Sequence, residues 1–411
     1  MERYDVIVVG GGASGMMAAG QAAARGKRVL LLEKNAKLGE KLRISGGGRC
    51  NITNAEEDPK ALLAKYGDAE QFLYSPYSQF GVADTFEFFK SRGLPLVVQG
   101  NKRAFPNTEK AADVIKVLDT YLKEGHVEVR TKSPVTQIRA RGGKILSVCA
   151  GRAEYEADAY MFATGGVSHP ETGSTGDGFE WLRTLGHTVV PPSPNIVPLK
   201  VREKWVKAAA GHSIPDMKIT FRQGSGKKIS RTGALLFTHF GISGPVVLNA
   251  AGAVGDMLHE GEVTATIDIY PKIDIGNLDA HIRDIFDANK NKMLKNVFKE
   301  IAPAGLTDTL LSLVPEINPD TKVHSITREE RRRLVDLLKS LTLTVTGLMG
   351  FDRAVVADGG VPPEEVDMKT MRSKRVPNLF ITGDLLHITR PSGGYSLQLC
   401  WTTGYVAGKT A

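Results

Sequence analysis

Three cysteines in 411 residues, Cys50, Cys149 and Cys400, lie far apart and form no C-x-x-C pair. A disulfide framework, a zinc knuckle and a dithiol redox centre are therefore not expected, and a reducing cytoplasm is the expected compartment. No apolar stretch reaches the ~20 residues that span a bilayer. The opening Met-Glu-Arg-Tyr-Asp, followed by a four-residue apolar run, has no signal-peptide pattern, so no membrane partner is expected. Internal repeats and low-complexity tracts are lacking, which excludes solenoids and collagen. Charge of one sign is in small surplus: 53 Lys and Arg against 45 Asp and Glu leave +8. That suits a solvated surface or an anionic ligand. The basic residues are not strung into one stripe with interleaved aromatics, so nucleic acid is not the expected partner. With 42% apolar and 24% charged residues, the chain has the composition of a globular protein of two or three domains.

What is plentiful is glycine. There are 44, a share above the typical ~7%, and they are clustered. The first cluster follows Tyr4 to Val9, an apolar run expected as a buried parallel strand. Gly10, Gly12 and Gly15 fit G-x-G-x-x-G, with Ala13 and Ser14 between them, before a helix expected over Met16 to Arg25. Val29 to Leu32 then reads as a second strand ending in Glu33 and Lys34. In such a unit Gly10 permits the tight turn, Gly12 admits a pyrophosphate to the backbone, and Gly15 lets helix and strand pack closely. The helix N terminus offers free N–H groups to phosphates, and Glu33 can accept from a ribose diol. This points to a dinucleotide, FAD or NAD equally.

Later clusters discriminate. Ser45-Gly-Gly-Gly-Arg-Cys-Asn51, with Gly46 and Gly47 at its centre, can lay its backbone against a flat ring or phosphates, while Arg43 and Arg49 supply positive charge. Leu379-Phe-Ile-Thr-Gly-Asp384 reads as a strand ending in Gly383 and Asp384, whose carboxylate can bind a ribityl hydroxyl. Ser392-Gly-Gly-Tyr-Ser-Leu-Gln398 then opens an apolar helix at Gly394, Tyr395, Ser396 and Leu397. A helix N terminus aimed at the pyrimidine edge of a flavin would stabilise the negative charge of its reduced form. Nicotinamide has no such need, so FAD is favoured. Ala163, Thr164, Gly165 and Gly166, after a strand expected over Tyr155 to Ala163, and Val135, at the start of another strand, complete the candidate set. No metal site is expected.

In order, these motifs continue with Thr172-Gly-Ser-Thr-Gly-Asp-Gly178, Thr238-His-Phe-Gly-Ile-Ser-Gly-Pro245, Gly359-Gly-Val361 and Gly393-Gly-Tyr395. The whole series resembles the BaiN/RdsA-type family of bacterial NAD(P)/FAD-dependent oxidoreductases over essentially the full chain. The resemblance implies an α/β fold. A Rossmann-type, glutathione-reductase-like FAD-binding domain would be built from 1–191 and 345–411, with a β-barrel-like insertion at 192–274 and a helical one at 275–344. FAD would be held non-covalently, with Cys50 a small buried residue near it and no linkage. The chain departs from the family pattern in Gly383-Asp384 for Gly-Glu, Leu386-His387 for Leu-Asp, Tyr395-Ser396 for Tyr-Asn, and Ala357 for Thr. The first keeps a carboxylate; the others point to a specialised substrate.

Proton-transfer candidates are His387 and Tyr395 beside the C-terminal motif and His239 in the Thr-His-Phe-Gly motif, and Arg103 is a candidate for holding an anionic substrate. The leading expectation is hydride transfer through flavin N5 to a small or mid-sized organic substrate. NAD(P)H would be a transient donor, and the acceptor a steroid- or bile-acid-like C=C conjugated to a ketone. A flavin amine oxidase using oxygen, an RNA-modifying flavoprotein and a non-catalytic flavin protein are the alternatives.

Overall fold

A computed structural model describes residues 2–411. Two compact units emerge, one of 1–194 with 355–411 and the other of 195–354.

The first unit is organised by a seven-stranded sheet in which Glu128–Arg130, Val29–Leu32, Glu2–Val9 and Ala153–Phe162 lie side by side. Leu379–Ile381 pairs, parallel, with the end of Ala153–Phe162, while Lys144–Ala150 pairs antiparallel with the start of that strand and Val135–Arg141 antiparallel with Lys144–Ala150. Val6, Ile7, Val8 and Val9 are all buried, as are all four residues of Val29–Leu32. Such unbroken apolar strands require cover on both faces. The helices Ala13–Ala23, Ala111–Glu124 and Tyr395–Thr410 belong to the same unit and share its core with the sheet.

Register places the site. Val9 lies opposite Leu32 on one side and Phe162 on the other, and Phe162 lies opposite Ile381. Four parallel strands thus end in one row. Their next segments begin at Gly10, Glu33, Ala163 and Thr382, which are the motif segments. Backbone bonds carry the row into the loops: Gly10 N–H donates to the Leu32 carbonyl (2.8 Å), Ala163 to Val9 (2.9 Å) and Thr382 to Phe162 (3.1 Å). The carboxyl ends of parallel strands are where open α/β sheets bind ligands.

The second unit is a closed six-stranded barrel, ordered Leu199–Val201, Gly241–Ser243, Lys228–Thr238, Ser213–Gln223, Val263–Asp268 and Leu341–Leu348. Of the helices Ile275–Ala288 and Arg328–Lys339, the first packs on the second and the second on the barrel strands Val263–Asp268 and Leu341–Leu348. The second of these starts at a capping box in which the Thr327 hydroxyl accepts from Glu330 N–H and the Glu330 carboxylate from Thr327 N–H. Two of the expected boundaries differ from the structure. Residues 345–348, assigned to the flavin domain, finish a barrel strand: Val345 pairs with Val263 and Leu348 with Leu199. The alternation of buried Leu341, Leu343 and Val345 with outward threonines carries that strand across the boundary. The helical segment 275–344 is not separate either, because Leu334, Val335 and Leu338 share one apolar core with Phe221, Ile267 and Leu343 of the barrel.

Candidate functional site

At the first strand end, an ideal Cβ on Gly15 would lie 1.9 Å from the Gly10 carbonyl oxygen, so only glycine allows the turn to pack against its helix. Ala13, Ser14 and Gly15 form the first turn of Ala13–Ala23. Gly12 stands at the cap with no side chain bonded to it and open space around its Cβ position. Free N–H groups facing a clear approach suit a phosphate. Glu33 is buried, and its carboxylate accepts from Gly11 N–H and Asn35 N–H, both at 2.7 Å. It therefore shapes the turn as well as presenting its remaining lone pairs. Lys34 pairs with Asp177 (2.7 Å), and the Asn35 side chain donates to Thr172, which fastens Thr172–Gly178 alongside. Val135 stands two residues beyond Ser133, whose N–H donates to the Glu33 carbonyl.

Ala163, Thr164, Gly165 and Gly166 follow the third strand end. Thr164 Oγ1 is buried with no hydrogen-bond partner among the described residues, a cost of roughly 1–3 kcal/mol that a bound polar group can relieve. The fourth strand end brings Gly383 and Asp384. Burial alone would raise the Asp384 carboxyl, but Arg390 and then Lys41 outweigh it and hold it below its ordinary range.

The helix Tyr395–Thr410 supplies a second uncapped N terminus, with Tyr395, Ser396 and Leu397 in its first turn. It is interlocked with the glycine-rich loop. Gly394 adopts φ of 102°, and a Cβ there would sit 2.2 Å from the Thr53 carbonyl carbon. Asn51 donates its amide to the Ala104 and Thr53 carbonyls and accepts from Gly394 N–H (3.0 Å), while Asn54 donates to the Gly393 carbonyl (3.2 Å). Thr53 donates to Gln398, and Trp401 to the Ile52 carbonyl. The two distant motifs are one structural piece.

Ser45 caps the Leu42 carbonyl, Gly46 and Gly47 adopt left-handed backbone and are exposed, and Arg43 is exposed with no ion pair among the described residues. Arg49, expected to offer charge to a ligand, instead lies over the Phe105 ring (4.4 Å) and pairs with Glu109 (3.5 Å). Cys50 is fully buried, and burial pushes its thiol up to about 12, the behaviour of an inert packing residue. Arg103 is half-buried and donates to its own Gly100 carbonyl.

Of the proton-transfer candidates, Tyr395 is 8% exposed, and its hydroxyl makes no protein hydrogen bond among the described residues. Burial, with Glu56 adding, raises its phenol, so it stays protonated at neutral pH. His387 Nδ1 accepts from Gly359 N–H (3.2 Å), which leaves the proton on Nε2. His239 belongs to the barrel unit, exposed in the turn after Lys228–Thr238. Lys41 and Arg390, both bonded to Asp384, were not legible as site residues; neither stands in a glycine motif.

A flavin nucleotide fits these residues: one uncapped helix end, the open approach at Gly12, the orphaned Thr164 hydroxyl and the Asp384 carboxylate share one row of strand ends, and Arg390 joins Asp384 to the second uncapped helix end through Ser396. Fold and site define a Rossmann-type FAD-dependent oxidoreductase. The chain belongs to the family described as HI0933-like protein Rossmann domain, which matches residues 4–410. It is 32% identical to the 3-dehydro-bile acid delta(4,6)-reductase of Clostridium scindens, over 98% of each chain. It is 28% identical to the ribosomal RNA dihydrouridine synthase of Escherichia coli, over 100% of this chain and 98% of that one. Among solved structures, its fold is like that of the 3-ketosteroid-delta4-(5alpha)-dehydrogenase of Rhodococcus jostii. That match has a TM-score of 0.55 at 14% identity and covers 100% of this chain and 96% of the other. No helix among the described residues is long and apolar enough to cross a membrane.

Proposed function

We propose that this protein reduces a carbon–carbon double bond conjugated to a carbonyl, with a steroid- or bile-acid-like enone as the preferred substrate. The 32% identity along the whole chain to a bile acid delta(4,6)-reductase is the observation that carries this reading. When bound, FAD supplies two-electron hydride chemistry at N5. The substrate gains a hydride at the β-carbon and a proton at the α-carbon, while a nicotinamide donor loses two electrons and a proton.

The protein's own residues have three tasks. The first turns of Ala13–Ala23 and Tyr395–Thr410 bind anionic parts of the nucleotide through free N–H groups, and Asp384 accepts from a hydroxyl. Tyr395 delivers the proton, supported by a protonated hydroxyl with no protein partner at the helix start. His387 orients the Gly359-Gly-Val361 backbone: Gly359 N–H donates to its ring, and its own N–H donates to the Val361 carbonyl (2.8 Å).

A second reading has its own support. Two relatives matched along their length are named ribosomal RNA dihydrouridine synthases, and Lys200 to Arg231 holds nine Lys and Arg against two Asp and Glu. Saturating the uracil 5,6 bond is the same conjugate reduction on a polyanionic substrate. An anaerobic panel with NADH or NADPH separates the readings by product mass. A gain of two hydrogens on a 3-oxo-delta-4,6 steroid supports the first, and the same gain on uridine of a ribosomal RNA transcript supports the second. Neither reduction in that panel, with a small amine consumed once oxygen is admitted, would overturn both.

A further inference from the structure

Arg390 has a side chain 1% exposed, and such a guanidinium survives burial only when its donors are matched. Here they are. Nη2 donates to Asp384 Oδ1, Nε to Ser396 Oγ (3.0 Å) and Nη1 to the Ile388 carbonyl (2.5 Å). Asp384 and Ser396 are two of the positions at which the chain departs from the family pattern, and one side chain joins them. Asp384 itself is 16% exposed at the fourth strand end. Its other oxygen lies 3.6 Å from Lys41 Nζ, which also bonds Ser168 (3.2 Å). The carboxylate thus lies at the strand end between a buried guanidinium and the Lys41 ammonium.

We propose that Arg390 is a positioning residue of the flavin site. It keeps Asp384 ionised, as an acceptor for a flavin hydroxyl, and ties it through Ser396 to the first turn of Tyr395–Thr410. Without the guanidinium, a carboxylate in this largely buried place would face only Lys41 across 3.6 Å. It would take up a proton more readily and turn from acceptor to donor. The remaining groups around the pair do not titrate near neutrality. Cys400, from the C-terminal helix, is pushed up to about 12 by burial and by Asp384. Tyr66 and Tyr77, which sense Arg390, are raised by burial.

The inference rests on FAD as the resident cofactor but not on the substrate, so failure of enone reduction leaves it standing. The test is FAD affinity of the apoprotein, followed by fluorescence quenching from about pH 8 to pH 5. Wild type is expected to be flat across that range. Arg390→Met should weaken FAD progressively towards acid, by roughly tenfold or more over the range. Arg390→Lys should restore most of the flat profile, and Asp384→Asn/Arg390→Met should be weak but flat. A pH-independent loss in Arg390→Met, equal to that in Arg390→Lys, would reduce Arg390 to packing and overturn the proposal. If Arg390→Met does not fold, the wild-type profile decides: a fall with its midpoint above about pH 5, or no FAD binding at all, refutes it.

Discussion

Replacing Glu365 with Gln removes a charge from a buried network in the first unit. His187, with no exposed side-chain surface, bonds Glu365 Oε2 through Nδ1 (2.6 Å) and Ser373 Oγ through Nε2 (2.7 Å). The Ser373 hydroxyl oxygen accepts from both Arg375 N–H (3.1 Å) and Val376 N–H (2.8 Å), so its own proton goes to Nε2, which fixes the ring proton on Nδ1 and gives Glu365 a donor. Arg375 adds a bond of 2.7 Å. Burial would raise the Glu365 carboxyl, but Arg375, Thr188 and His187 outweigh it and hold it at about 2, against 4.5 for a free glutamate. With the side chain 12% exposed, that difference stabilises the fold by about 3 kcal/mol at neutral pH. The contribution is complete above the unfolded value near 4.5 and is lost as pH falls from there towards 2. Burial also lowers His187, which folds neutral, so protonation of the unfolded chain below about 6.5 destabilises in the same direction. Urea unfolding of wild type and Glu365→Gln at several pH values is the assay. The stability gap should be about 3 kcal/mol at pH 7 and shrink steadily below about pH 4.5. A gap that is constant with pH would refute the assignment of a charge-dependent contribution to Glu365.

Gly394→Ala combines a left-handed backbone with a Cβ 2.2 Å from Thr53, so it should cost about 2–4 kcal/mol and weaken FAD, read by thermal melting with and without the nucleotide. Tyr395→Phe should retain FAD and lower turnover by about 10²–10⁴-fold with little effect on flavin reduction; an unchanged rate would remove Tyr395 as proton donor. Glu33→Ala leaves Gly11 and Asn35 N–H without acceptors, and at least a tenfold loss in FAD affinity is expected by fluorescence titration. Leu338→Ala, fully buried between helix and barrel, should cost roughly 2–5 kcal/mol and lower the melting of barrel and helices together, as hydrogen exchange can resolve.

Local signals were legible where chemistry is encoded in neighbouring residues. The strand, glycine turn and helix from Glu2 to Ala23 needs only contiguous sequence, and so does the Thr327 capping box. Pairing across long separations was not. Leu379–Ile381 enters the sheet beside Ala153–Phe162, more than 200 residues away, and three apolar residues carry no address for that place. The barrel closes between Leu199 and Leu348 for the same reason, and the helices share its core although composition changes between them. In the site, glycine positions were readable because backbone approach permits few other residues. Charges were not: Arg49 looked like a ligand group and is satisfied by Glu109 and Phe105, whereas Arg390 stood in no motif and is central to Asp384. A long flexible side chain meets whichever opposite charge the tertiary fold brings near.

The most direct test is rapid mixing of the anaerobically reduced holoprotein with a 3-oxo-delta-4,6 steroid while the flavin absorbance is followed. Conjugate reduction predicts return of the oxidised flavin band, with one equivalent of steroid saturated per flavin. A band that stays bleached in the presence of steroid and of uridine-containing ribosomal RNA, but recovers with oxygen, would contradict it.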